Sequence, residues 1–331
     1  MDLDAYSAAR RDEWDELARL GSKRRFNGAE ADELIDRYQA AASDLSVIKT
    51  TVGQSIQGDR LSVAIHRARL RFTGAKSNPM SRIPLFFGAQ LPAALYRIRW
   101  LSLWVTVIWI AVATLFAFWA AQTPGVLANF GSDELRRQYA EDDFVNYYSE
   151  HGMAEFGALV WTNNAWIAIQ CVAFGILGVW APWILMQNAT GVGGAAAVLA
   201  EQGHLDTFFL FILPHGQLEL YSIFVAGAAG LRIFWSWVAP GARTRGQALA
   251  EDGRALITVA VGLTLSLLLS GIIEGFVTRQ DWPWAIKIGI GTLALAAFLY
   301  YQWILGRRAA QAGETGDLVE FESGAKRIIA A

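Results

Sequence analysis

WLSLWVTVIWIAVATLFAFWAA, residues 100–121, carries no charged side chain from end to end. About 20 apolar residues cross the hydrocarbon of a bilayer, so a run of this length predicts a membrane-spanning helix. A helix lying against a soluble core would show a polar face every 3.6 residues, and this run shows none. The rest of the chain has to be placed around that crossing.

Of the 331 residues, 54% are hydrophobic and 18% charged, which predicts a mixed protein, part membrane and part soluble. The opening MDLDAYSAARRDEWDEL is charged and has no apolar centre, so it does not read as a signal peptide. Residues 1–95 are expected to remain on the side of synthesis as a helical region. Apolar spacing predicts helices over 4–20 and 29–50. Asn27 and Glu30 have the spacing of a capping box, with Leu34, Ile35, Tyr38 and Leu45 as core positions. Cys171 is the only cysteine and sits in an apolar run, which excludes an intrachain disulfide and zinc–cysteine chemistry.

Charge sets the expected orientation. Between residues 60 and 99 stand Arg60, Arg67, Arg69, Arg71, Lys76, Arg82, Arg97 and Arg99, with no acid. Basic flanks stay cytoplasmic, so the N-terminus is predicted inside the cell membrane. The same stretch reads either as a solvated basic face or as a helix on anionic membrane lipid. It leads directly into a span and has no DNA- or RNA-binding motif, which argues against a nucleic-acid partner. Residues 122–160 then fall outside, and their seven acids against two bases give a charge of −5. Tyr139, Phe144, Tyr147 and Tyr148 in that loop predict short helices.

A second span is predicted over 162–186, and a hairpin of spans over 255–277 and 284–305. Arg243, Arg245, Arg254, Arg307 and Arg308 flank the hairpin and place both of its ends inside. The segment between 188 and 240 must then cross twice or enter and return. A broken or re-entrant element ending near Pro214, followed by a full helix, is the preferred arrangement. A single crossing, with the C-terminus outside, is the other. The expectation is an all-α polytopic membrane protein with about six membrane segments, one pair of them broken or re-entrant. Residues 1–95 form its cytoplasmic region, 96–308 its membrane domain and 309–331 a tail.

The polar residues inside this apolar sequence are the candidate site. Pro214 suits a helix start, with His215 and Gly216 in its first turn. His215 and Glu219 are four apart and share a helix face. They are placed either to bind a proton, a cation or a substrate, or to hydrogen-bond to Asn163, Asn164, Gln170 or Asn188 between helices. Two metal ligands are in view and nothing marks a third. Glu274 and Lys287 stand at facing ends of the hairpin and are expected to form an ion pair. Gly271 and Gly275, and Gly227 and Gly230, read as close-packing surfaces. The catalytic motifs HExxH, GxSxG and GxxxxGK[ST] are absent, so neither an enzyme nor a cofactor is expected.

Three of these elements carry a resemblance. Asn163–Asn164 opens one span, Gln187-Asn188-Ala189-Thr190-Gly191 follows it, and Pro214-His215-Gly216-Gln217-Leu218-Glu219 opens a glycine-rich helix. Together they resemble the stage II sporulation protein M family of polytopic membrane proteins, over roughly residues 100–305. PHGxxE is the most specific element. The stretch Asn27–Lys49 is similar to the cytoplasmic extension of a longer, non-sporulating branch. The family's namesake anchors cell-wall hydrolases, so the resemblance implies a membrane scaffold of the bacterial envelope with protein partners, self-association included. Asn188-Ala189 stands where the family carries Asn-Gly, and the sporulation role is not transferred. Pro214, His215, Gly216 and Glu219 are the residues carried over by motif.

Overall fold

The computed structural model describes residues 3–23, 26–53, 55–72, 83–148 and 152–316. Lys76, Arg82, Glu150, His151 and the tail from residue 317 lie outside them. All regular structure among the described residues is helical. The chain divides into two compact units, Met1–Arg82 and Ile83–Ala331.

The first unit contains α1 (Leu3–Ser22), α2 (Gly28–Thr51) and α3 (Ile56–Phe72). Leu17, Leu20, Leu34, Ala41, Ile48, Leu61 and Ala68 form its core. The capping box of α2 is present in both directions between Asn27 and Glu30. Lys23 beside Glu30, and then the Asn27 backbone N–H, hold the Glu30 carboxyl below its usual range. This support is present at neutral pH and is lost as pH falls through that lowered value. Ile35 departs from expectation and is 38% exposed. Leu34, Ala41 and Ile48 recur every seven residues and define the buried stripe, and Ile35 falls about 100° round from it.

Asp44 ties α1 to α2. Its buried carboxylate accepts from Tyr6 (2.8 Å), Arg10 (2.7 Å) and Trp14 (2.9 Å). Asp44→Ala leaves three donors without this acceptor and is expected to destabilise the unit by about 2–3 kcal/mol. A denaturant midpoint for the unit equal to that of wild type would refute this.

The second unit opens with α4 (Leu91–Arg97) and α5 (Arg99–Gln122). Leu91, Ala94, Leu95 and Ile98 belong to the membrane core. The boundary between units therefore lies at residues 82/83 and not at 95. The principal helices that follow are α6 (Met153–Ala173), α7 (Trp180–Glu201), α8 (Leu205–Val238), α9 (Arg245–Ile273) and α10 (Trp284–Tyr300). Among the described residues, five helices are long and apolar enough to cross a membrane: α5, α7, α8, and the continuous stretches Arg245–Thr278 and Trp284–Gln311. α6 is not among these five and carries Thr162, Asn163, Asn164 and Gln170. Large side chains point outward, among them Trp104 (62% exposed), Leu115 (67%) and Leu293 (71%). Acyl chains would cover such faces.

The expected second span, 162–186, is two helices. The chain leaves α6 at Ala173, makes a short turn at Gly175–Leu177 and restarts at Trp180. Glycine permits this reversal. Gly178 has φ of +75° and faces the Phe234 ring, while a Cβ on Gly175 would lie 2.4 Å from Gly230 Cα.

The expected break at Pro214 is also absent. Pro214 lies inside α8, which runs unbroken from Leu205. Membrane helices tolerate an internal proline where neighbouring groups compensate for the lost backbone bond, and LDTFFLFI before Pro214 is itself strongly apolar. The reversal falls instead at Gln202–His204, between α7 and α8, where Gly203 has φ of +79°.

α8 is the central helix and packs against α5, α6, α7, α9 and α10. Its VAGAAG segment, 225–230, is buried throughout. The glycine surfaces read from the sequence are real contacts. Gly271 meets Gly157 of α6 backbone to backbone, and Gly227 meets Leu185 of α7. The loop between α5 and α6 folds as short helices held by Tyr139, Phe144, Tyr148, Phe156 and Phe208. Buried Arg136 fastens it to the end of α7 through Glu201 at 2.8 Å. The first residues of the tail are packed too. Arg97 donates to Thr315 O at 3.0 Å, Thr258 donates to Gly316 O at 3.0 Å, and Gln302 donates to Leu95 O at 3.1 Å.

Candidate functional site

α8 and α9 meet along a polar seam inside the apolar core. On α8, His215 and Glu219 share a face, as their spacing predicts. On α9, Ser270, Glu274 and Thr278 follow at intervals of four. Glu274–Thr278 is a wider, π-type turn at the end of α9. Such turns recur at functional sites because they re-aim side chains.

The seam closes around three ionisable groups. One ligand atom each from His215, Glu219 and Glu274 can be chosen so that all lie within 4.8 Å of one another. His215 Nε2 stands 3.5 Å from Glu274 Oε1. Its other ring nitrogen, Nδ1, is 3.2 Å from Thr278 Oγ1. Ser270 donates to His215 O at 3.0 Å and lies 3.5 Å from Glu219 Oε2. Asn164 of α6 is buried, and its side chain donates to Val160 O of its own helix at 3.1 Å. Tyr148, from the loop between α5 and α6, packs against the imidazole with ring centroids 6.0 Å apart. His215 is 5% exposed and Glu274 3%, while Glu219 is only part-buried at the edge of the cluster. Glu274 Oε2 is buried and has no hydrogen-bond partner.

The expected site residues separate. His215, Glu219 and Asn164 come together, while Asn163, about 100° round α6 from Asn164, is exposed. Pro214 and Gly216 are buried in α8 and shape the backbone. Asn188 lies on α7, its Oδ1 buried and without a partner, and no described contact joins it to the cluster.

The expected Glu274–Lys287 ion pair does not form. Lys287 Nζ donates to Thr278 O and Gln280 O, both at 3.0 Å. The ammonium thus satisfies carbonyls at the C-terminal end of α9, where a cation is favoured. That leaves Glu274 facing His215. Proximity across a hairpin in sequence misassigned Glu274, whereas the i, i+4, i+8 recurrence of Ser270, Glu274 and Thr278 would have placed all three on one helix face.

A family model described as Stage II sporulation protein M matches residues 106–279. The chain belongs to the stage II sporulation protein M family. The family match runs from α5 through the end of α9 and contains every residue of the cluster. A second model, a domain of unknown function (DUF8413), matches residues 4–74, within the first compact unit. No curated protein matches the chain. No solved structure matches it either.

Proposed function

We propose that this family member is an integral membrane scaffold of the cell envelope that recruits protein partners through its N-terminal unit. The observation that carries this reading is the division into a self-contained three-helix unit and a separate membrane unit. α3 leaves one face unused: Ile56, Val63 and Leu70 are 72%, 51% and 45% exposed. Arg60 and Arg67 are interleaved with them on the same face. Apolar anchors at seven-residue spacing with cations between them fit an acidic amphipathic helix. The basic residues of α3 support a cytoplasmic position for the unit. The presence of this unit supports a role outside sporulation. No catalytic step is assigned.

A photoreactive residue at Val63 of the full-length protein, cross-linked in cells, tests the reading. It is expected to trap a reproducible protein partner, with the adduct lost in Arg60→Glu/Arg67→Glu. Adducts to lipid alone from a correctly inserted protein would sink it, and adducts to a second copy would identify self-association. A transporter or channel-like reading draws support from the His215–Glu219–Glu274 cluster, although α8 supplies no helix break for it.

A further inference from the structure

We propose that His215, Glu219 and Glu274 form a binding site for a divalent transition-metal ion inside the membrane unit. The donor set comes first. One imidazole nitrogen and two carboxylates, one atom from each, lie within 4.8 Å of one another. Two carboxylates and one divalent cation sum to zero charge, which is what a low-dielectric core tolerates.

One spacing matches that of two ligands on a shared ion. Two ligands about 2.0–2.1 Å from one tetrahedral zinc ion stand about 3.3–3.4 Å apart. His215 Nε2 and Glu274 Oε1 are 3.5 Å apart, long for a hydrogen bond and close to that ligand–ligand spacing.

The surroundings orient the ligands. His215 Nδ1 lies 3.2 Å from Thr278 Oγ1, and in the tautomer that donates from Nδ1 the Nε2 lone pair faces Glu274. Ser270 Oγ lies 3.5 Å from Glu219 Oε2 and holds it from α9. The independent observation is the second oxygen of Glu274. It is fully buried without a partner in a side chain that is otherwise enclosed, a costly arrangement that a metal ion relieves. Lys287, the cation expected to pair with Glu274, is committed to backbone carbonyls.

The mixed nitrogen and oxygen donors favour Zn²⁺ or Mn²⁺ over Mg²⁺ or Ca²⁺. The probes are those four ions, added to purified full-length protein in detergent after chelator treatment and dialysis. Zn²⁺ or Mn²⁺ is expected to bind at close to one ion per chain and to raise the unfolding temperature, and Mg²⁺ and Ca²⁺ to do neither. Glu274→Gln and Glu219→Gln should lose the bound ion. Thr278→Val keeps every ligand and should weaken binding about 10–100-fold, a change that general destabilisation would not produce in a folded variant. X-ray absorption of the loaded wild type should show one imidazole nitrogen among oxygen ligands. A wild type that binds well under one ion per chain overturns the proposal, as does equal binding by folded Glu274→Gln. In either case the cluster is not the metal site.

Discussion

Gly291→Val is expected to prevent the membrane unit from accumulating in folded form. A Cβ at this position would lie 2.1 Å from Pro214 O and 2.9 Å from Leu213 O. Both atoms are backbone of α8, the helix on which every other membrane helix rests, so no side chain can rotate out of the way. α10 would have to move outward along its length. Overpacking a core costs about 1–3 kcal/mol when side chains can adjust. With a backbone obstacle the cost should reach or exceed the top of that range. Gly289, two residues earlier and about 200° round the helix, has nothing within 4 Å of a built Cβ. Gly289→Ala should therefore behave as wild type. Monodispersity and apparent Tm in detergent read both variants, and a Gly291→Val protein that melts with wild type would refute the contact.

Asp252→Ala should destabilise the same unit through charge. Asp252 is 4% exposed and gathers four donors. Arg97 reaches it at 2.7 Å from α4, Arg243 at 3.1 Å from the turn before α9, and Arg232 at 3.5 Å from α8. Ser236 donates to the same carboxylate. Removing the acid leaves three guanidinium groups together. These arginine side chains are 28–40% exposed, so water recovers part of the loss. A cost of about 2–3 kcal/mol is expected, below that of a fully buried pair. Asp252→Asn keeps an acceptor oxygen and should lose less. The measurement is thermal unfolding at low and high salt. Equal stability of wild type and Asp252→Ala in both would rule out the hub.

Much of this architecture was legible without coordinates. Uncharged runs mark the long helices, because lipid penalises charge at every turn of a spanning segment. Asn27 and Glu30 mark the start of α2, because capping is local chemistry. The helix breaks were not legible. Pro214 is a local breaker that tertiary packing overrides, since α8 continues through it beside Gly291. Gly175 and Gly178 are weaker local signals, yet the chain turns there because Gly230 and Phe234 of α8 demand close approach. The site was half legible for the same reason. His215 and Glu219 share one helix and so declare each other by spacing. Glu274 and Thr278 come from another helix, and only the register between α8 and α9 brings them in.

The stitching of the tail to the start of the membrane unit has a consequence in time. Arg97 and its acceptor Thr315 are separated by 218 positions in the chain. At about 5–20 residues per second of synthesis, Arg97 waits roughly 11–44 s for its partner to be made. Gly306, which packs against Pro92, arrives almost as late. The helices of this unit therefore enter the bilayer one after another before the bundle can close. During that interval the polar seam of α8 and α9 and the arginines around Asp252 depend on temporary partners. The last helix synthesised completes the structure, so a nascent chain stalled before Gln302 should be far more sensitive to membrane quality control than one stalled after Gly316.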